Sequence, residues 1–454
     1  FGNTTAKRVY STVGAEQEYF LIDEDVYQKR KDLKYTGRTL FGAKPPKGQE
    51  LEDHYFGAIK TRVGEYMKDL DEELWKLGIF AKTKHNEVAP AQHELAPIFT
   101  NTNIAADQNQ LMMETMKRVA QKHHMRCLLH EKPFDGINGS GKHNNWSMST
   151  DTGLNLLDPG TTPAENGQFM LFFAAVIAAV DEYQDLLRLS VASAGNDHRL
   201  GANEAPPAIV SMFVGEELEE VIEALERGEK YKGKGKNVMK LGVDTLPELP
   251  KDTTDRNRTS PFAFTGNKFE FRMVGSSFSL SGPNIVINTA VADVLREFAD
   301  KLEKAPDFNA ALHELVVDTI KKHRRIIFNG NNYSDEWKEE AAKRGLSDLK
   351  NSAEALPHFA DEKNIALHER MKVFTHREVV TRTEIMLENY SKTIVIEALT
   401  MLEMAKRDIY PAVNEYIKSL CASLEAEKAA GVEAGAAAEK ELISSLAANN
   451  AGLY

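Results

Sequence analysis

Apolar and polar positions alternate in two rhythms along this chain. A period of two runs through Gly14 to Ile22, from GAEQEYFLID, and through His143 to Met148 and Phe269 to Val274, and each predicts a β-strand. A period near 3.6 predicts helices over Tyr66 to Leu77, Gln108 to His130 and Glu216 to Arg227. The apolar run Phe169 to Val180 is too short to span a bilayer, and the spacing of the following DEYQDLLRL continues it as a buried core helix. Beyond Thr289 the pattern turns helical: Val291 to Leu302, Ala310 to Ile327 and Arg377 to Leu420, with Pro411 kinking or dividing the last. The tail from Leu424 to Leu446, rich in Ala, Glu and Lys, predicts a low-complexity helix. Lys232 to Lys236 (KGKGK) predicts a flexible, solvated loop. Strands and helices do not alternate strictly, so an α+β arrangement with an antiparallel sheet is expected over a doubly wound parallel one.

Composition narrows the class. The chain has 454 residues, 42% hydrophobic and 27% charged, which is ordinary for a globular protein. A net charge of −12 argues against nucleic acid as the main partner. The two cysteines, Cys127 and Cys421, imply no disulfide scaffold and fit a reducing, cytoplasmic compartment. No signal peptide is visible, and the opening on Phe1 suggests a processed or truncated polypeptide.

The chemistry sits in acidic, histidine and arginine positions. In a strand Glu16 and Glu18 share a face roughly 6–7 Å apart, an unfavourable pairing unless something lies between them. Glu87 and Glu94 lie in HNEVAPAQHELAP, where two prolines forbid a continuous helix and two short strands joined at Pro90 would turn both carboxylates to one cavity; a surface loop is the plainer reading. DGINGSGKH, Asp135 to His143, nearly matches a P-loop, but His143 replaces the Ser or Thr that would hold a cation, and a polar strand follows instead of a helix. A glycine-rich loop that brings backbone close to a ligand, followed by a strand carrying His143 inward, fits better. In NKFEFRMVG, Lys268, Glu270 and Arg272 share one face, whose charges are either solvated or meet ligands or one another. Arg199 and Arg258 add fixed positive charge suited to carboxylate or phosphate.

Together these stretches resemble the glutamine synthetase family, most nearly its type III branch, through five motifs spread over residues 10 to 300. The resemblance implies the family's catalytic fold, an antiparallel sheet lining a two-metal funnel, over residues 1–300, with a helical C-terminal extension over 301–454. It implies two divalent cations, Mg²⁺ or Mn²⁺. Glu16, His143 and Glu270 would serve the one near the phosphates, and Glu18, Glu87 and Glu94 the one near glutamate. Asn138, Gly139, Arg199 and Arg272 would bind glutamate, with His143 beside them. Ser147, Arg258 and Lys268 would face ATP, and Glu204 would close the site and take a proton from ammonium. The implied reaction joins ammonia to glutamate at the expense of ATP, through a γ-glutamyl phosphate. The implied assembly is a homo-oligomeric ring with active sites between subunits, and neither membrane nor nucleic acid is a partner. Arg199 and Glu204 stand one residue closer than is common in the family, and an arginine usual after the Arg258 position is replaced by Phe262 or a neighbour. The chain opens almost on the E-x-E strand, so a fragment lacking the family's N-terminal β-grasp domain is expected. A ligase for a larger amine, and a non-catalytic structural relative, are the competing readings.

Overall fold

The computed structural model describes residues 1–201, 205–229, 231, 238–239, 249–250, 257–432 and 435–453. The chain divides into two compact units, one of Phe1–Glu24 and Pro45–Tyr390, the other of Asp25–Lys44 and Ser391–Tyr454. The KGKGK segment lies outside the described residues.

The strands, in chain order, are β1 (Val9–Asp23), β2 (Ala81–Asn86), β3 (Gln92–Pro97), β4 (Thr100–Asn101), β5 (Met125–Leu128), β6 (Lys142–Thr150), β7 (Met212–Phe213), β8 (Val238–Met239), β9 (Leu249–Pro250), β10 (Phe262–Phe264) and β11 (Phe269–Phe271). In the first unit β2-β3-β1-β6-β11-β10-β7 form one sheet, with β4 and β5 also paired to β1. Every pairing in it is antiparallel except β10 with β7. The expected α+β class, with a mainly antiparallel sheet, is what the chain adopts. The spacing of β1 carries the design: Val13, Ala15 and Tyr19 turn to one side and are buried, while Glu16 and Glu18 take the other.

In the first unit, helices cover the apolar side of the sheet. The helices of both units are numbered together in chain order. They run α1 (Glu24–Lys29), α2 (Lys31–Thr36), α3 (Thr61–Lys76), α4 (Thr102–Lys122), α5 (Gly167–Glu182), α6 (Gln184–Leu189), α7 (Ala194–Arg199), α8 (Glu216–Arg227), α9 (Ser281–Leu302) and α10 (Phe308–His323). After these come α11 (Asp335–Lys343), α12 (Ser352–Ala355), α13 (Glu362–Arg370), α14 (His376–Met404), α15 (Tyr410–Ala429) and α16 (Ala436–Leu453). Trp146, Phe269 and Phe271 of the sheet pack with Phe169 and Phe173 of α5 in one core, and Tyr19 packs with Tyr66, Leu70 and Met116 of α3 and α4 in another. Phe173 stacks on Phe269 at 6.0 Å between ring centroids, so the sheet's back is fixed by aromatic packing.

Three expectations are corrected. The helix expected over Gln108 to His130 ends at Lys122; His124 adopts a left-handed φ of 53°, and Met125–Leu128 becomes a strand beside β1. Edge pairing with β1 wins over helical periodicity there. The run Phe169 to Leu189 breaks at Tyr183 into α5 and α6. The tail expected as one helix is interrupted between Ala429 and Ala436, whereas the long helix before it divides near Pro411 as expected, at a π-helical turn over Ala405–Ile409.

In the second unit the short α1–α2 segment is tied down by charge. Asp32, fully buried, accepts from Arg30 and from the backbone N–H groups of Leu33 and Leu40. Arg38 forks onto Glu397 at 3.0 and 2.7 Å.

Candidate active site

The open face of the sheet gathers its polar side chains by register. Glu18 of β1 stands opposite Glu94 of β3, Glu16 opposite His143 of β6, and Asn145 opposite Glu270 of β11. Four neighbouring strands thus bring five titratable groups onto one face without any helix contributing. Two sets result, each with its ligand atoms within 4.8 Å of one another: Glu16, His143 and Glu270, and His85, Glu87 and Glu94.

In the first set His143 Nδ1 lies 2.9 Å from Glu16 Oε2 and 3.1 Å from Glu270 Oε1. Asn145 Nδ2 donates to the other Glu16 oxygen at 2.9 Å. Burial alone would disfavour charge on all three groups. The hydrogen bonds and mutual charge outweigh it, holding Glu16 and Glu270 below the usual carboxylate range and His143 well above the usual imidazole range. In the second set His85 Nε2 lies 3.0 Å from Glu94 Oε1, and His85 Nδ1 lies 3.4 Å from Glu87 Oε1. The Glu94 hydrogen bond raises His85 to about 9. Glu87 stands in the β2–β3 connection, where Ala91 takes a left-handed φ of 63°.

Glu18 lies beside both sets. It is buried, and burial pushes its carboxyl up to about 7 although His143 and Arg199 pull the other way. Gly141 N–H donates to its Oε2 at 2.5 Å. Carboxylate oxygens crowded on one face, with an imidazole in each set, are a donor set that fits hard divalent cations.

The arginines approach from outside the strands. Arg272 follows β11 directly, pairs with Glu270 at 3.1 Å, and donates to the Asn257 carbonyl at 2.6 Å. Asn257 sits in the turn that carries Arg258, which is exposed. That turn is braced by Thr259, whose Oγ1 receives Asn332 N–H at 3.0 Å, and fully buried Asn332 accepts from Ser211 at 2.6 Å. Arg199 ends α7, buried, and its guanidinium donates to the Arg272 carbonyl at 3.0 Å and to the Met273 carbonyl at 3.3 Å. Its guanidinium lies so close to Gly141 that a Cβ there would overlap it. Asn138 is fixed by Gln49, which accepts from its N–H at 2.9 Å and donates to its Oδ1 at 2.7 Å, and the Gly139 carbonyl accepts from Gln92 at 2.9 Å.

Ser147 lies four residues along β6 from His143, roughly 13 Å at strand rise. Its hydroxyl donates to Asn155 and to the Asn267 carbonyl, both at 2.9 Å, beside Lys268. Lys268 stands just before β11 and Arg272 just after it, so only Glu270 of that row lies within the strand. Glu204 lies outside the described residues. Sequence reading overlooked His85, which precedes the first expected acid by two positions in a short polar strand. The HxE spacing, which turns both side chains to one side, was the available signal.

A mainly antiparallel sheet bears two carboxylate–histidine sets beside buried arginines, a donor chemistry that suits hard cations next to anionic ligands. Residues 3–210 match the family described as glutamine synthetase, catalytic domain, and residues 311–428 the glutamine synthetase C-terminal domain. The chain is 56% identical to a glutamine synthetase of Butyrivibrio fibrisolvens, over 94% of this chain and 61% of that one. It is 50% identical to a type-3 glutamine synthetase of Dictyostelium discoideum, over 93% of this chain and 58% of that one. The chain spans about six-tenths of the length of these curated relatives. A solved structure titled apo GmaS without ligand superposes with a TM-score of 0.51 at 15% identity, over 85% of this chain and 70% of that one, a likeness of fold. The chain belongs to the glutamine synthetase family and is similar within it to type III members.

Proposed function

We propose that this chain carries the catalytic machinery for joining ammonia to glutamate at the expense of ATP. The observation that carries this reading is the pair of carboxylate–histidine sets on one sheet face, in a chain of this family. Glu16, His143 and Glu270 would hold one divalent cation, Mg²⁺ or Mn²⁺, and Glu18, Glu87 and Glu94, with His85 beside them, the second. When bound, such cations neutralise the phosphate oxygens and the substrate carboxylate, which lowers the barrier to phosphoryl transfer.

The chain's own groups do the rest. Arg272, Arg199 and the Asn138–Gly139 backbone orient glutamate so that an oxygen of its side-chain carboxylate faces the terminal phosphorus of ATP. Ser147 and Lys268 mark the nucleotide end, and Arg258 offsets charge on the phosphoryl group. The carboxylate oxygen bonds to phosphorus as the bond to the ADP oxygen breaks, giving γ-glutamyl phosphate. Glu204 takes a proton from ammonium, the freed ammonia bonds to the acyl carbon, and phosphate leaves. The account extends to a cytoplasmic homo-oligomeric ring, with the residues after 300 as a helical extension.

Hydroxylamine offered in place of ammonia tests the intermediate, because it captures an acyl phosphate as a hydroxamate. ATP-dependent γ-glutamyl hydroxamate is expected. Its absence, together with no glutamine from ammonia, overturns the reading, and product from a larger amine alone identifies the rival ligase.

A further inference from the structure

One buried carboxylate near the site is not used by that chemistry. Glu131 lies between β5 and the glycine loop and is 2% exposed. Such a group is tolerated only where donors satisfy it. Its Oε1 accepts from Ser277 N–H at 3.0 Å and from the Ser277 hydroxyl at 2.5 Å. Its backbone carbonyl accepts from Ser140 N–H at 2.8 Å.

Two glycines make room for the side chain. A Cβ at Gly275 would stand 2.5 Å from Glu131 Cγ, and one at Gly195 would overlap Glu131 Oε2. Neither glycine has a positive φ, so these positions are small for contact rather than for backbone conformation. The three segments that meet Glu131 each carry a site group: Gly139–His143, Gly195–Arg199, and Arg272–Ser277. Arg199 and Lys142 both feel its charge. Arg199 in turn bridges the second segment to the third through the Arg272 carbonyl.

We propose that Glu131 is a positioning residue that locks these three segments in register and thereby sets the affinity for a carboxylate-bearing substrate it does not touch. Naming that substrate as glutamate rests on the reaction proposed above. Loss of the lock misplaces Arg199 and the glycine loop together, while the nucleotide end at Ser147 keeps its own hydrogen bonds.

The test uses the purified protein and four variants: Glu131→Gln, Gly195→Ala, Glu131→Ala and the last two combined. Glu131→Gln keeps the size of the side chain and an acceptor for Ser277. It is expected to raise the KM for glutamate about tenfold, a shift of the size one lost charge interaction produces. The KM for ATP should stay within about twofold and kcat within about threefold. Gly195→Ala should give the same signature. Placed on Glu131→Ala, it should add nothing, because the obstructing carboxylate is gone. Equal effects on both KM values, full additivity, or lowered thermal stability with unchanged KM overturns the proposal. If the unaltered protein shows no ligase activity, the reaction has failed and not this contact, whose coupling is then read from thermal unfolding of the same variants.

Discussion

Replacing Glu18 with Gln should stabilise the cation-free protein while weakening its response to cation. Glu18 is buried on the acidic face, and its carboxyl is raised from 4.5 to about 7. A carboxyl whose folded pKa is raised binds its proton more tightly in the folded state. Between pH 4.5 and about 7 the folded state therefore holds the extra proton, and stability falls as pH rises through that window. Above it the penalty is complete, about 3 kcal/mol at 1.4 kcal/mol per unit. Gln avoids the charge but must satisfy a new amide, which reduces the gain to about 2 kcal/mol at pH 8. The assay is denaturant unfolding at pH 8, with a chelator or with Mg²⁺. Unaltered protein should gain about 2.7 kcal/mol at a hundredfold excess of Mg²⁺ over its dissociation constant. The variant should start more stable and gain less, keeping the share that the Glu16, His143 and Glu270 set supplies. A variant less stable in chelator, or one that keeps the full Mg²⁺ gain, refutes the reasoning.

Two further outcomes are expected. Arg272→Ala removes the fork on Glu270 and the bond to the Asn257 carbonyl; steady-state kinetics should show the KM for glutamate rising by tenfold or more, with a smaller change for ATP. His368, fully buried between Phe359 and Phe374, has no hydrogen-bond partner at either ring nitrogen among the described residues, and burial, aided by Arg382, lowers it to about 4. Because the unfolded imidazole protonates near 6.5, stability should fall by roughly 3 kcal/mol as pH drops from 6.5 to about 4. His368→Phe should flatten that part of the unfolding profile, and an unchanged profile would contradict the assignment.

What could be read from sequence follows from how each signal is encoded. β1 and β6 were legible because two-residue alternation is a local pattern, and the glycines of the NGSG loop marked a close approach. The structure shows that part of this approach is to the chain's own Arg199 rather than to a ligand alone. The α4–β5 boundary was not legible, because RCLL gains its strand character only by pairing with β1. His85 was missed because AKTKHN is too polar to announce a strand, and it acquires meaning only opposite Glu94. Glu131 was invisible for the same reason: a single acid in a loop has no pattern, and the three segments it joins are far apart in sequence. Arg199 and Arg272 stood out as charges, but their link through a backbone carbonyl is a fact of tertiary structure.

The most direct measurement is phosphate release from ATP with Mg²⁺, with glutamate and ammonia each present or withheld. The account predicts release that requires glutamate, is fastest with both substrates, and yields one glutamine per phosphate. Release that ignores glutamate, or none when all substrates are present, contradicts it.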